Sequence, residues 1–233
     1  MARKKVILSV FTLLVGVSLL AKSGTNEREV REVAKFNSIT ANSGLDVYIV
    51  QGSECSVEVE ASKSQIHRIV TEVKGGTLHV YVKGNFRWNL KDVRKVYVSA
   101  PEFTNITANG GADIRGNSVI KSGHLNVKSN GGADIYLSVD TKSLILNCSG
   151  GADIMVEGTT EQLTASASGG ADINAKKLKA KYVTASASGG GDIDVFASES
   201  ITAKASGGGD VNYMGSPKKK NISESGGGDV SGY

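Results

Sequence analysis

Apolar and polar residues alternate along most of this chain, and short glycine corners interrupt the alternation at regular distances. In Leu144-Ile145-Leu146-Asn147-Cys148-Ser149, successive strand side chains point to opposite faces, so Leu144, Leu146 and Cys148 share one face. After Gly150-Gly151, Ala152, Ile154 and Val156 share a face, while Asp153 and Met155 point away. The same template fits the flanking segments. Leu125 and Val127 lead into Ala133, Ile135 and Leu137; Leu163, Ala165 and Ala167 into Ala171 and Ile173. Further on, Val183, Ala185 and Ala187 lead into Ile193 and Val195, and Ile201, Ala203 and Ala205 into Val211. Each unit reads as two apolar-in strands joined by a glycine corner, then a looser polar return such as Glu157–Glu161. The glycines fit a bend that needs positive φ or close backbone approach.

The corner phrase ends in an aspartate each time: Asp113, Asp134, Asp153, Asp172, Asp192, Asp210 and Asp229, at steps of 21, 19, 19, 20, 18 and 19 residues. A fixed period near twenty is the mark of a solenoid, in which each repeat is one winding stacked on the last. Stacking in register makes equivalent strands parallel. Helix signals are nearly absent, and the two prolines, Pro101 and Pro217, remove few ladder donors. The predicted fold is therefore all-β, a single-stranded parallel β-helix. Its core thins toward the C-terminus as leucine and valine give way to alanine, each contributing much less than the ~1.5–3 kcal/mol of a buried leucine. In the shortened last repeat Glu224 falls on an inward column, which suits a polar end cap after Pro217–Lys220.

The N-terminal part departs from the period. Ile39–Val47 is a first, imperfect copy of the phrase, ending on Asp46, and the next aspartate of the series, Asp113, lies 67 residues on. Between them alternate Val57–Ala61, Leu78–Val82 and Val93–Val98, with Lys74-Gly75-Gly76-Thr77 reading as a hairpin turn. These residues predict longer, irregular coils or a small β-cap over the open end, to which Phe86, Trp88 and Tyr97 belong. The expected organisation is a signal peptide over 1–23, a linker over 24–35, and a solenoid over 36–233. Within the solenoid, 36–105 forms the irregular cap and 106–233 the regular coils.

The signal rests on Arg3, Lys4 and Lys5 ahead of the apolar run Val6–Ala21, followed by an A-x-A-like site at Ala21-Lys22-Ser23. The run is 16 residues, short of the ~20 a spanning helix needs, so a cleaved signal with no membrane span after cleavage is expected, and an uncleaved membrane anchor is the alternative. The leader also accounts for most of the charge. Without it, the +4 of the whole chain falls to +1, or to 0 if Lys22 leaves too. The basic balance therefore argues for neither nucleic acid nor an anionic membrane. Export permits a disulfide. Cys148 nevertheless falls on an inward position, where it reads as a small buried hydrophobe; a long-range Cys55–Cys148 bridge is the alternative.

The order of the pieces carries a resemblance. Phe36 to Ile39 leads into Asp46-Val-Tyr-Ile-Val-Gln-Gly52, then Val57–Glu60, Gly76–Val80 and Val96–Pro101, and then the serial Ser/Asn-Gly-Gly-x-Asp phrases. This resembles the auto-transporter adhesin head, or GIN domain, family over roughly Phe36 to Val230. The resemblance implies an exported β-solenoid of the kind found in Bacteroidetes, in the periplasm, on the outer-membrane surface or outside the cell. With the coil length, it also implies right-handed winding. It brings no catalytic residues. The Gly-Ile-Asn element that names the family stands here as Gly44-Leu45-Asp46 and as Gly-Ala-Asp variants, so no role tied to that asparagine carries over.

Seven aspartates one coil apart would form a column at about 4.8 Å spacing, the distance between neighbouring strands. Like charges in file raise one another's pKa values. Backbone N–H groups of each aspartate's own corner can offset this. Calcium, which wants 6–8 oxygen ligands, and a partner surface are the alternatives, and either would make Asp113, Asp134, Asp153, Asp172, Asp192, Asp210 and Asp229 a cation or ligand site. No other cofactor is indicated. The phrase is not the nine-residue RTX calcium repeat. Pectin-degrading enzymes share the β-helix, but a glycosidase needs two carboxylates held in different environments. These aspartates are equivalent, so no enzyme is predicted.

His67, His79 and His124 lack metal-ligand spacing. The basic stretches Lys176–Lys181 and Lys218–Lys220 read as solvated corners, with a lectin-like or polyanion contact as the alternative. Polar ladders at Thr164, Ser166 and Ser168 and at Thr184, Ser186 and Ser188 suit an extended ligand. The expected function is a non-enzymatic binding or adhesion module of the cell envelope, with a glycan or cell-surface polymer as partner. A polysaccharide-degrading enzyme and a structural protein assembling through its solenoid ends are the alternatives.

Overall fold

The structure, a computed structural model, describes residues 26–84 and 93–233. The expected signal over 1–23 lies outside the described residues, as do Phe86 and Trp88. The chain is almost entirely strand and winds into a solenoid of about 7 turns.

The N-terminal strands are β1 (Asn26–Arg31), β2 (Ser38–Ala41), β3 (Asp46–Gln51), β4 (Ser56–Ser62), β5 (Ile69–Lys74), β6 (Thr77–Val82), β7 (Arg94–Ala100) and β8 (Asn105–Asn109). Five long strands then take one coil each: β9 (Asp113–Asn130), β10 (Asp134–Gly150), β11 (Asp153–Gly169), β12 (Asp172–Gly189) and β13 (Asp192–Gly207). The next coil is split into β14 (Val211–Met214) and β15 (Lys219–Gly226), and β16 (Val230–Gly232) stacks in turn on β14.

Every ladder from β8 onward is parallel, and repeat pairs with repeat: Ile135 with Ile154, Leu146 with Ala165, Ser149 with Ser168. The inward residues read from the sequence, among them Leu144, Leu146, Cys148, Ala152, Ile154 and Val156, are all buried. The returns differ from expectation. Glu157–Glu161 is not loose but lies inside β11, paired with β10 and β12. Its Thr160 is buried and accepts a hydrogen bond from buried Thr141 across 2.9 Å. The return thus buries a third inward row, with Ile120, Val139, Leu178, Ala180 and Ala197.

The two readings of the N-terminal part each hold for a portion of it. The early copy of the phrase is a true coil: β2 pairs in parallel with β8, and β3 with β9, which brings Asp46 beside Asp113. β6 and β7 lie on the other side of that coil, also in parallel. Antiparallel partners then close the end, with β5 on β6 and β4 on β7. The Lys74–Thr77 hairpin forms as read, with Gly75 and Gly76 at positive φ. The stretch expected to be a linker supplies β1, which pairs with β4. Its sequence shows no apolar alternation, and Arg28 is held on β4 by ion pairs to Glu58 and Glu60 (3.0 and 2.7 Å).

At the C-terminal end, Glu224 sits in register with buried Ala205 but is itself exposed, because no further coil covers it. Its carboxylate accepts the backbone N–H of Val230 (2.9 Å), and Lys220 lies over the Tyr213 ring (5.3 Å). Charged side chains therefore close the open mouth, as a solenoid end requires.

Both cysteines are free. The Cys148 thiol donates to the Ala152 carbonyl (2.9 Å), as the Ser129 hydroxyl one coil earlier donates to Ala133 (2.6 Å). A bridge to Cys55 is excluded by this inward placement, since Cys55 contacts Phe36 in the cap. Burial pushes the Cys148 thiol up to about 12, with help from the Asp153 and Asp172 charges.

Candidate functional site

The aspartates form the predicted file. Asp46, Asp113, Asp134, Asp153, Asp172 and Asp192 are consecutive register partners. The file continues to Asp210 and Asp229, whose backbone N–H groups donate to Asp192 Oδ1 (3.1 Å) and Asp210 Oδ1 (3.0 Å). Asp192 and Asp210 therefore take their donor from the next coil's aspartate, whereas the N–H groups of Asp134, Asp153, Asp172 and Asp192 donate to the carbonyls of Ala112, Ala133, Ala152 and Ala171 one coil back. Corner amides are already committed between coils: Gly131 N–H to Ser149 O, Gly170 N–H to Gly150 O, Gly208 N–H to Gly189 O.

Asp113 and Asp153 carry raised pKa values, first from burial against neighbouring coils and then from adjacent aspartates. Arg115 opposes the shift at Asp113, to which it is ion-paired at 3.3 Å; the Asp172 N–H opposes it at Asp153. Among the described residues no group of three or more histidine, cysteine or acidic side chains converges to hold a metal. A file gives each carboxylate one neighbour above and one below, whereas calcium needs oxygens gathered around a point.

Beside this file runs a row of larger side chains, with Tyr97, Tyr48, Arg115, Tyr136 and Met155 in register. Tyr48 and Tyr97 stack at 5.4 Å and 20°. Arg28 lies over Tyr97 (5.1 Å), Lys95 over Tyr48 (6.0 Å) and Arg115 over Tyr136 (4.7 Å). The ring faces are spent on neighbouring coils, so this row offers a ligand edges rather than a stacking platform.

The concave feature lies elsewhere, along the returns. A groove of about 940 Å³ crosses β9 to β13 parallel to the solenoid axis. One row of its lining is Lys121, Asp140, Thr159, Lys179 and Phe196, each the register partner of the next. Lys142, Glu161 and Lys181 line it alongside. Buried Thr141 and Thr160 lie beneath.

The coils differ in length beside the groove. β12 has three residues, Lys176–Leu178, without partners in β13, because pairing passes from Ala175–Val195 directly to Lys179–Phe196. The longer coil bulges past the shorter. The Asp140 carboxylate accepts the Thr159 hydroxyl (2.9 Å), and Glu161 pairs with Lys181 (3.5 Å). Sequence reasoning had Lys179 and Lys181 within a basic stretch but missed Lys121, Asp140, Lys142 and Glu161. The alternations Val139/Thr141 and Leu178/Ala180 were the signal that these returns are strands.

The corner sequence Asp-x-polar continues on the outer faces as ladders, with Thr164 on Thr184, Ser166 on Ser186 and Ser168 on Ser188. A second ladder is bonded side chain to side chain: Asn109 to Asn42 (3.0 Å), Asn130 to Asn109 (2.9 Å) and Ser149 to Asn130 (2.8 Å). Among the described residues no helix is long and apolar enough to cross a membrane.

Several solved structures share this architecture. A protein of Bacteroides fragilis described as a "putative adhesin" is 25% identical, with a TM-score of 0.84 over 91% of this chain and 98% of that one. A "putative adhesin" of Parabacteroides merdae is 19% identical (TM-score 0.73; 90% of this chain, 97% of that one). A "putative lipid binding protein" of Parabacteroides distasonis is 20% identical (TM-score 0.69; 90% and 97%). No curated protein matches the chain. Residues 35–217 match the family described as "Putative auto-transporter adhesin, head GIN domain". With its period, its parallel coils and its corner phrase all in place, the chain belongs to that adhesin-head family.

Proposed function

We propose that this protein is an exported, non-enzymatic binding and adhesion module of the cell envelope, and that it takes an extended polymer such as a glycan along the groove over β9 to β13. One observation carries the reading: the groove runs across five coils, so successive coils present equivalent positions to successive units of a chain. At one strand spacing per coil, four steps span roughly 19 Å, which suits a short oligosaccharide segment. The polar ladders extend the same periodicity over the neighbouring faces.

The groove's two carboxylates argue for binding rather than hydrolysis. Asp140 and Glu161 are exposed, and each is tied to a neighbour, Thr159 or Lys181. A hydrolase would hold one of them dry and protonated. The aspartate column enters this reading as an acidic flank that needs no cation.

The test is a glycan array and a cell-adhesion assay with the intact protein. Binding that is lost when Thr159 and Ser122 in the groove are replaced by bulky residues supports the reading. No binding above a scrambled control, or release of reducing ends that stops in Asp140→Asn, overturns it. EDTA should leave the melting temperature unchanged.

A further inference from the structure

The polar groove favours one class of polymer. Resting on the reading above, we infer that its ligand is a linear acidic polysaccharide, bearing carboxylate or sulfate groups, whose anions are met by Lys121, Lys142, Lys179 and Lys181. The charges in the groove are these four lysines against Asp140 and Glu161. Only Lys181 is paired there, with Glu161. Lys121, Lys142 and Lys179 have no ion-pair partner among the described residues, although the chain without its leader is close to neutral. Elsewhere Lys63, Lys74, Lys176 and Lys218 are compensated locally, by Glu27, Glu72, Asp194 and Glu199. Within the concave lining itself positive charge is in excess, with four lysines to two carboxylates.

The lysines are also distributed along the axis, not clustered. Lys121 belongs to β9, Lys142 to β10, and Lys179 and Lys181 to β12. In register, Lys121 and Lys179 stand three coils apart, roughly 14 Å at one strand spacing per coil. A compact anion such as a free phosphate could reach only one of them. A chain carrying an anion on each or every second unit reaches all of them.

The interleaved Asp140, Thr159 and Glu161 supply hydrogen-bond acceptors and a hydroxyl suited to sugar hydroxyls. The same carboxylates would repel the dense phosphate line of a nucleic acid. The one aromatic residue in the lining, half-buried Phe196, does not make the series of stacking platforms that single strands use.

The experiment compares polygalacturonate with its fully methyl-esterified form, which keeps the chain and removes the charge, and adds a single-stranded DNA of similar length. The protein is used whole, with Lys121→Gln, Lys142→Gln and Lys179→Gln singly and together. All three side chains are exposed and outward, so folding is retained and is checked by an unchanged melting temperature. Polygalacturonate should bind and the ester much more weakly. Each substitution should weaken binding about fivefold, and the triple variant about a hundredfold. Affinity should fall steeply as salt rises from 50 to 200 mM.

Equal binding of ester and acid, unmoved by the lysine substitutions, overturns the acidic assignment while leaving an uncharged polymer in the groove. DNA binding as tight as polygalacturonate with the same lysine dependence overturns the polysaccharide assignment. Failure of every polymer to bind overturns this inference and the broader reading together.

Discussion

The second glycine of the corner offers a test in which sequence position is held constant and backbone geometry changes. In the corners at Gly110-Gly111 and Gly131-Gly132 both glycines have positive φ; in the next, only Gly150 does (φ 86°), and Gly151 does not. Replacing Gly132 (φ 77°) by alanine forces an L-residue into the left-handed region, at a cost of about 1–2 kcal/mol. Reduced freedom of the unfolded chain returns about 0.4–1 kcal/mol of this. Space is not the issue, because the new Cβ would meet nothing closer than Gly151 O at 3.9 Å. The net expectation is a loss of about 1 kcal/mol. At Gly151 the Cβ would have nothing within 4 Å and no strained φ, so only the unfolded-chain contribution remains, a gain of about 0.4–1 kcal/mol. Two identical substitutions one coil apart should therefore differ by about 1.5–2 kcal/mol, or roughly 4–6 °C in melting temperature for a chain of this size. Thermal unfolding followed by circular dichroism measures this directly. If Gly132→Ala and Gly151→Ala move the melting temperature by the same amount in the same direction, the corner-by-corner geometry described here is refuted.

Further outcomes are expected. Asp113 and Asp153 hold protons more tightly folded than unfolded, so their contribution to stability grows as pH falls through the carboxylate range and is lost as pH rises; urea midpoints across pH 3.5 to 7 check the slope. In the same vein, Asp153→Asn relieves repulsion from two neighbours at about 4.8 Å, about 1 kcal/mol after salt screening at an exposed site, and should raise the melting temperature; a fall counts against repulsion as the cause. Gly158 (φ 117°) packs where any Cβ would run into the Val139 carbonyl oxygen, so Gly158→Ala should cost more than 3 kcal/mol or abolish folding, which soluble yield and denaturant midpoints report. Cys148 should resist thiol reagents in the folded protein at pH 8, because burial holds its thiol near a pKa of about 12, while Cys148→Ser keeps the bond to Ala152 that Ser129 makes to Ala133 and should shift stability by less than about 1.5 kcal/mol.

Legibility followed the range of the forces involved. The coil period, the inward rows from Leu125 to Val211 and the outward aspartates could all be read from the chain, because each coil touches only the one before and the one after. Alternation within one coil therefore states its whole environment. Glu224 was legible for the same reason: a charged residue on an inward column is costly to cover, which suits a fraying or capped end, and it is exposed. The returns were not read as strands. Their alternation is short, and it is diluted by Lys, Glu and Gly residues that face water.

What the residues alone decided was the winding itself: glycine corners every nineteen or so residues, aliphatic side chains at every second position between them, and one acid at the start of each coil. Those are local choices of backbone and partition, settled by steric freedom and by water. Stacking decided the rest. Asp46 joined the aspartate file only when the cap strands folded away and let β3 lie on β9. Asp192 and Asp210 found their N–H donors in the following coil, where the corner amides were already bonded. The groove, with lysines from three coils in its lining, forms only where β9 to β13 stack, and register shifts between neighbours set how their returns align. A shift of that kind exists only between coils, so no single repeat carries it in its sequence.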